Sequence, residues 1–506
     1  MGVPKSSSMT RNKSARLLKN VLIGSLVSCR QSAWALASAS LLSICLMVVC
    51  ASPLRSDSKP QSAPQPDSQS AATPSQQVNA LFSQGEERLA QKDFAAAEAD
   101  FRQALQSDPS LALAHRELGV ALWAQGHGEA AVNELSQAVR LDPRDARAHY
   151  ILGQVAWALQ QLTKSKRGHE LTADNYKALA LTETQKAVSL NPGDFNMLLD
   201  LAELSLDAGQ KNQAQTEAEQ AVRLAASANQ RSLAHVALAH ALFATDDEDR
   251  ARAEYQKAIQ EDSSNGEAYL GLGQLSLFQQ KSSEALGYFE QAIHASPNMG
   301  AAYAAAAEIL EKTHQPAEAR AMLEKAVALD PEDWHSQYQL AVALMKAGET
   351  PRAKDLLTNI ATQRPDFFPA REQLALMLLR QGNASGAIAQ GQGLVAENSR
   401  AVEGHRVLAL ALWRERQTDE SLAECAQALA ADPRSTAMLA LQALELWQEK
   451  RKNDARTALR EAGRENPQII SPIVFCQLIV CSSQDAPLVD DFLRSNRWIL
   501  APPPSE

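Results

Sequence analysis

The sequence predicts an all-α solenoid, a stack of similar helical hairpins rather than one globule. Three observations predict it. Prolines recur 34 residues apart, at Pro109 and Pro143, at Pro297, Pro331 and Pro365, and at Pro433 and Pro467. Between them, apolar residues fall three or four apart in two short runs, the spacing of amphipathic helices. Alanine also returns at one place in almost every unit. Chemistry at an active site imposes no such period, whereas units that cannot bury their apolar faces alone must stack on their neighbours.

With each proline at position 32 of a 34-residue unit, the elements follow in order. Units start near Val78, Ala112, Ala146, Phe195, Ser232, Gly266, Gly300, Trp334, Phe368, Val402 and Thr436. The unit at Ala112 has Leu118-Gly119 at positions 7 and 8, Leu122 at 11, Ala131 at 20, Leu135 at 24, Ala138 at 27 and Pro143 at 32. Position 20 is Ala97, Ala131, Ala180, Ala214, Ala251, Ala285, Ala319, Ala353, Ala387 and Ala455, and once Ser421. A larger side chain there would separate the paired helices, at roughly 1–3 kcal/mol per site. Gly126, Gly209, Gly348 and Gly382 share position 15, where the first helix must stop and a left-handed cap suits glycine. Proline at 32 stops the second helix, because it cannot continue one. Ala226, Ser263 and Ser399 replace it in three units, and Ala218 and Gly391 stand at the normally bulky position 24.

This register resembles the tetratricopeptide repeat family, whose pattern is an aromatic at 4, Leu-Gly at 7–8, Ala at 20, an aromatic or Leu at 24, Ala at 27 and Pro at 32. The resemblance covers residues 78–469 and implies a right-handed superhelix of about eleven units. It also implies that positions 2, 5, 9 and 12 of each first helix line a concave face that holds protein partners. Position 12 contains Trp123, Trp157, Phe243, Met345, Trp413 and Trp447; position 5 adds Phe82, Tyr150 and Tyr338 with the cations Arg116 and Arg406. Two roles stand open for these residues, packing between adjacent first helices or a binding stripe. On the second, the partner is an apolar helix or extended segment, and Trp413→Ala and Trp447→Ala weaken capture while helicity stays intact. The family's clamp for carboxylate tails is absent, since Arg116 is followed by Val120 and Arg406 by Leu410 where Asn is required.

Two insertions interrupt the period. Pro143 and Pro192 are 49 residues apart, which places 15 extra residues at 161–175, including Lys164, Lys166, Arg167, Gly168 and His169. A surface loop, a longer helix pair and a partner-contacting loop all fit. About three residues are added near 227–230. Residues 470–506 depart from the repeat: 469–480 reads as one very apolar helix and 488–498 as an amphipathic one, together a cap for the exposed end. An oligomer contact is the rival reading of this end.

Before the repeats, residues 1–30 carry six basic residues and no acidic one, and 33–51 are apolar. A Ser/Pro/Gln-rich stretch, 52–77, reads as a solvated linker. The order fits a membrane anchor or an export signal cleaved near Ala51. Either predicts an extracytoplasmic body, by the positive-inside rule.

The chain holds 49 Lys+Arg and 59 Asp+Glu; eight and two of these precede residue 78, leaving 41 against 57 in the body. That acidity disfavours nucleic acid. His115, His149, His235 and His405 share position 4 and read as flat packing rings. Cys425 falls at a buried position 24, and Cys476 and Cys481 lie about 140° apart on a continuous helix, poor geometry for a bond between them. No hydrolase, phosphate-loop, dinucleotide or zinc motif occurs, so neither catalysis, cofactor nor metal is expected. The functional expectation is a non-catalytic binding scaffold of the cell envelope. An assembly factor for export, pilus or polysaccharide machinery, or an oligomerisation module, are the alternatives.

Overall fold

The computed structural model describes residues 74–164 and 170–496. Eleven helical hairpins follow one another in two units. The first, which ends at Asp330, holds Pro74–Ala90 with Phe94–Ser107 (α1, α2), Ala112–Ala124 with Gly128–Leu141 (α3, α4) and Ala146–Lys164 with Glu170–Leu190 (α5, α6). It continues through Phe195–Asp207 with Lys211–Leu224 (α7, α8) and Ala228–Ala244 with Glu248–Glu261 (α9, α10). Gly266–Phe278 with Ser282–Ala295 (α11, α12) and Gly300–Lys312 with Pro316–Leu329 (α13, α14) complete it. The second unit, from Pro331, holds Trp334–Lys346 with Thr350–Gln363 (α15, α16) and Phe368–Arg380 with Ala384–Glu397 (α17, α18). Val402–Arg414 with Thr418–Ala431 (α19, α20) and Thr436–Gln448 with Lys452–Glu465 (α21, α22) follow. A short 3-10 turn, Pro467–Ile470, precedes Pro472–Leu478 (α23) and Ala486–Asn496 (α24).

Each hairpin is sealed by small residues where its helices cross. All ten alanines at position 20, and Ser421, are buried. Position 8 is the other half of the seam. A Cβ added to Gly273 would stand 2.3 Å from Phe289, and one on Gly119 would stand 2.6 Å from Leu135. The glycine at 8 therefore faces the bulky side chain at 24. At Gly391 the logic is reversed: Leu408 of the next repeat fills the space, 2.8 Å from where a Cβ would lie. Cys425 is buried at position 24 as a small apolar filler.

Position 15 shows the turn requirement behind the glycines. Gly126, Gly209, Gly348 and Gly382 have φ of 77–82°, but Lys92, Asp246, Gln280, His314, Arg416 and Lys450 stand at the same position with φ of 61–70°. Ten of the eleven repeats thus close the first helix through a left-handed residue, and six do so without glycine. An L-residue there is disfavoured by about 1–2 kcal/mol. Part of that is recovered because glycine loses more freedom on folding. His314→Gly should therefore stabilise the protein by about 0.5–1 kcal/mol; an unchanged or lowered thermal midpoint would contradict this account.

Position 4 is a hydrogen-bonding clasp as well as a packing site. His115, His149, His235 and His405 each place Nδ1 2.5–2.7 Å from a carboxylate on their hairpin's second helix, Glu134, Glu183, Glu254 and Glu424. In three of them Nε2 also reaches back to the carbonyl of position 32 of the preceding unit, Pro109, Pro143 or Ser399, at 3.1–3.3 Å. Tyr303, Gln337 and Arg371 donate to Pro297, Pro331 and Pro365 in the same way. The common requirement is a long side chain with a donor at its tip. His405→Leu should cost about 1–3 kcal/mol in urea unfolding, and His405→Gln, which can imitate Gln337, clearly less. Equal losses would show that only packing matters.

The described residues of both insertions are helical. In the third repeat α5 has 19 residues and α6 has 21, against 13 and 14 in the second. The helix runs through Gln160, so this repeat alone lacks the left-handed residue at position 15. Its clasp survives with the extra residues between the partners: His149 and Glu183 are 34 apart, not 19. Lys166, Arg167, Gly168 and His169 lie outside the described residues. The smaller insertion starts α9 early, with Ser227 and Gln230 forming a capping box.

The ends differ from expectation. The first helix among the described residues already includes Pro74, ahead of Val78. The anchor or signal at 33–51 lies outside the described residues, and none of the described helices is long and apolar enough to cross a membrane. The apolar run 469–480 is not one helix, because Pro472 at the start of α23 divides it. Ile469, Phe475, Ile479, Val489 and Phe492 join the same core cluster as Leu439 and Leu459, so this segment does cap the last repeat.

Candidate partner-binding face

Within each unit the first helices of consecutive repeats touch one another, α3 with α5, α7 with α9, α9 with α11 and α17 with α19. Position 12 lies in these contacts, and its burial decides between the two roles. Trp123, Trp157, Phe243 and Trp413 are only 1–7% exposed. Trp123 shares a core cluster with Leu159 of the next repeat. Trp157 lies with Leu204, and Phe243 stands edge-on to Phe278 at 5.5 Å. These four belong to the core between repeats and offer no surface to a partner. Trp447 is half-buried against Phe492 of α24, 5.5 Å between centroids, so the cap covers it too. The indole N–H groups of Trp123, Trp157 and Trp413 have no acceptor among the described residues, as expected of rings chosen for bulk.

The cations are also engaged internally. Arg116 pairs with Glu117 and Asp145, both at 2.7 Å. Arg406 pairs with Glu372, at the same position 5 one repeat earlier. Burial still pushes Glu372 above the ordinary carboxylate range, against the opposing pull of Arg406. Tyr150 donates to Asp200 at 2.5 Å, and Gln154 donates to the same carboxylate, which ties the third repeat to the fourth. Burial first, then Asp200, drive the Tyr150 phenol far above its usual range. Phe82 packs at 5.7 Å from Phe101.

In the second unit an apolar strip stays partly open. Tyr338, Val342 and Met345 occupy positions 5, 9 and 12 of α15, and Leu376 occupies position 9 of α17; all four are half-buried. Tyr338 stands edge-on to Phe367 at 5.2 Å, which holds its ring. Val342 and Leu376 were not recoverable as candidates from position 12, although the family's inward positions contain them.

Thirty-four-residue hairpins sealed by alanine and glycine define an α-solenoid repeat protein. The chain belongs to the tetratricopeptide repeat family. One tetratricopeptide repeat model matches residues 88–155, 279–343 and 312–377, and a second matches 236–300. A comparison with curated protein sequences gives no match. Similar solved structures include a tetratricopeptide repeat protein from Parabacteroides merdae, 15% identical, covering 53% of this chain and 99% of that one, with a TM-score of 0.44. The human IFIT1 dimer with m7Gppp-AAAA is 15% identical over 69% and 80% of the two chains, at 0.42. Yeast Tom70 is 15% identical over 82% and 96%, at 0.33. These are likenesses of fold.

Proposed function

We propose that this chain is a protein-binding scaffold of the cell envelope that holds an apolar helix or extended segment on the first helices of its second unit. Tetratricopeptide repeat proteins are generally non-catalytic interaction scaffolds. The observation that carries the reading is the half-open strip of Tyr338, Val342, Met345 and Leu376. It follows the register in which neighbouring position-12 side chains are buried, yet keeps part of its apolar area in water. Apolar side chains left in this state on adjacent helices gain about 25 cal/mol per Å² when a partner covers them. The envelope assignment rests on the basic head and the apolar run at 33–51, which tether or export the repeats. The body's acidity argues for a protein rather than a nucleic-acid ligand.

A photo-crosslinking residue at Met345 in intact cells should capture a discrete partner, and the same residue at exposed Thr358 on α16 should not. Met345→Glu should abolish capture without loss of helicity. Equal capture from both positions would refute the assigned face. A reporter fused after Glu506 that is active in the cytoplasm would refute the compartment.

A further inference from the structure

The cap contains two thiols that the fold brings together. Helix α23 ends at Leu478, Val480 adopts a left-handed φ of 54°, and the Cys481 N–H donates back to the Cys476 carbonyl at 2.9 Å. This six-to-one return is a Schellman arrangement, which folds the side chain beyond the turn onto the one inside the helix. Here those side chains are Cys481 and Cys476, the two residues that the Cys481 N–H to Cys476 carbonyl bond brings side by side. The sequence expectation of poor geometry assumed a helix through both residues; the turn removes that assumption. Both thiols are free and half-buried, whereas Cys425 is fully enclosed. The turn is held from outside. Arg414 donates to the Val480 carbonyl and pairs with Asp485 at 3.3 Å. Asp485 in turn accepts from the Ser482 N–H at 2.8 Å and from its hydroxyl at 2.6 Å. The two cysteines are therefore adjacent on a backbone already fixed.

We propose that Cys476 and Cys481 are a reversible modification site, forming a disulfide that locks the C-terminal cap by exchange with a low-molecular-weight disulfide. Cys476, as its thiolate, attacks one sulfur of the small disulfide, forming a mixed disulfide and releasing one small thiolate. Cys481 then loses its proton and attacks the Cys476 sulfur, which closes the protein disulfide and releases the second small thiolate. Two protein thiols are oxidised by two electrons, and the small disulfide is reduced to two thiols. Burial first, then the Cys476 thiol, push the Cys481 pKa upward. That suits Cys481 to the second step, where proximity offsets a scarce thiolate.

The full chain would be incubated with oxidised glutathione, acid-quenched, alkylated and digested with trypsin. Cleavage after Arg464 and Arg494 leaves both cysteines in one peptide. That peptide should be unalkylated and lighter by two hydrogens, and dithiothreitol should restore both alkylation sites. Amide exchange across 472–496 should slow at least ~10-fold on oxidation, while the repeats stay unchanged. Cys476→Ser and Cys481→Ser should each abolish both effects. Full alkylation after oxidant, or two separate glutathione adducts, would overturn the pairing. An internal disulfide that leaves amide exchange unaltered would overturn the lock.

Discussion

Trp413→Ala should lower stability by about 3–5 kcal/mol, with earlier loss of helicity in denaturant rather than a selective loss of partner capture. The indole is 3% exposed and shares one core cluster with Leu410, Leu439 and Leu444. Its removal leaves a cavity between α19 and its neighbours that rigid helices cannot collapse to fill. Trp413→Phe should lose much less, under roughly 1.5 kcal/mol, because the lost N–H has no acceptor. Denaturant curves followed by circular dichroism separate the cases. An unshifted midpoint for Trp413→Ala would return the ring to the binding surface.

Glu445→Gln should stabilise the protein above neutral pH and flatten its pH dependence. Glu445 is completely buried in α21, and neither carboxyl oxygen has a hydrogen-bond donor among the described residues. The nearby Ser421 hydroxyl instead donates to the Ala409 carbonyl at 2.8 Å. Burial raises the Glu445 pKa from 4.5 to about 8, with Ser421 opposing and Glu449 adding. Between those two values the folded chain keeps a proton that the unfolded chain releases. Stability from this group is therefore full below about pH 4.5, declines as pH rises to about 8, and is level beyond. The decline is on the order of 5 kcal/mol at most. The substituted amide would carry no charge to bury. Unfolding free energies at pH 5, 7 and 9 that fall equally in both proteins would show that another group is responsible.

The hairpins were legible because steric demands repeat: a small residue at 20, a glycine at 8 opposite the side chain at 24, a turn at 15. Each recurs often enough to rise above local noise. The site was less legible, for a physical reason. An aromatic at position 12 satisfies either role, and only the neighbouring helix, whose approach a sequence does not state, decides how much of the ring remains in water. Trp413 and Met345 share a register and differ only in what covers them. The clasp was hidden similarly, because histidine, tyrosine, glutamine and arginine look unrelated until their donors reach one kind of carbonyl. The turn between Cys476 and Cys481 was hidden because a left-handed valine is rare and carries no compositional mark.

The elongated third hairpin has a consequence for recognition. A perfectly periodic rack offers a bound segment nearly the same footing one step along, so a ligand can settle out of register with little penalty. The six extra residues of α5 over α3 amount to about 9 Å of additional rod, a landmark that occurs once. A segment lying along the first unit and abutting it would have its lateral position fixed, and sliding by a whole hairpin would then mean collision instead of degeneracy.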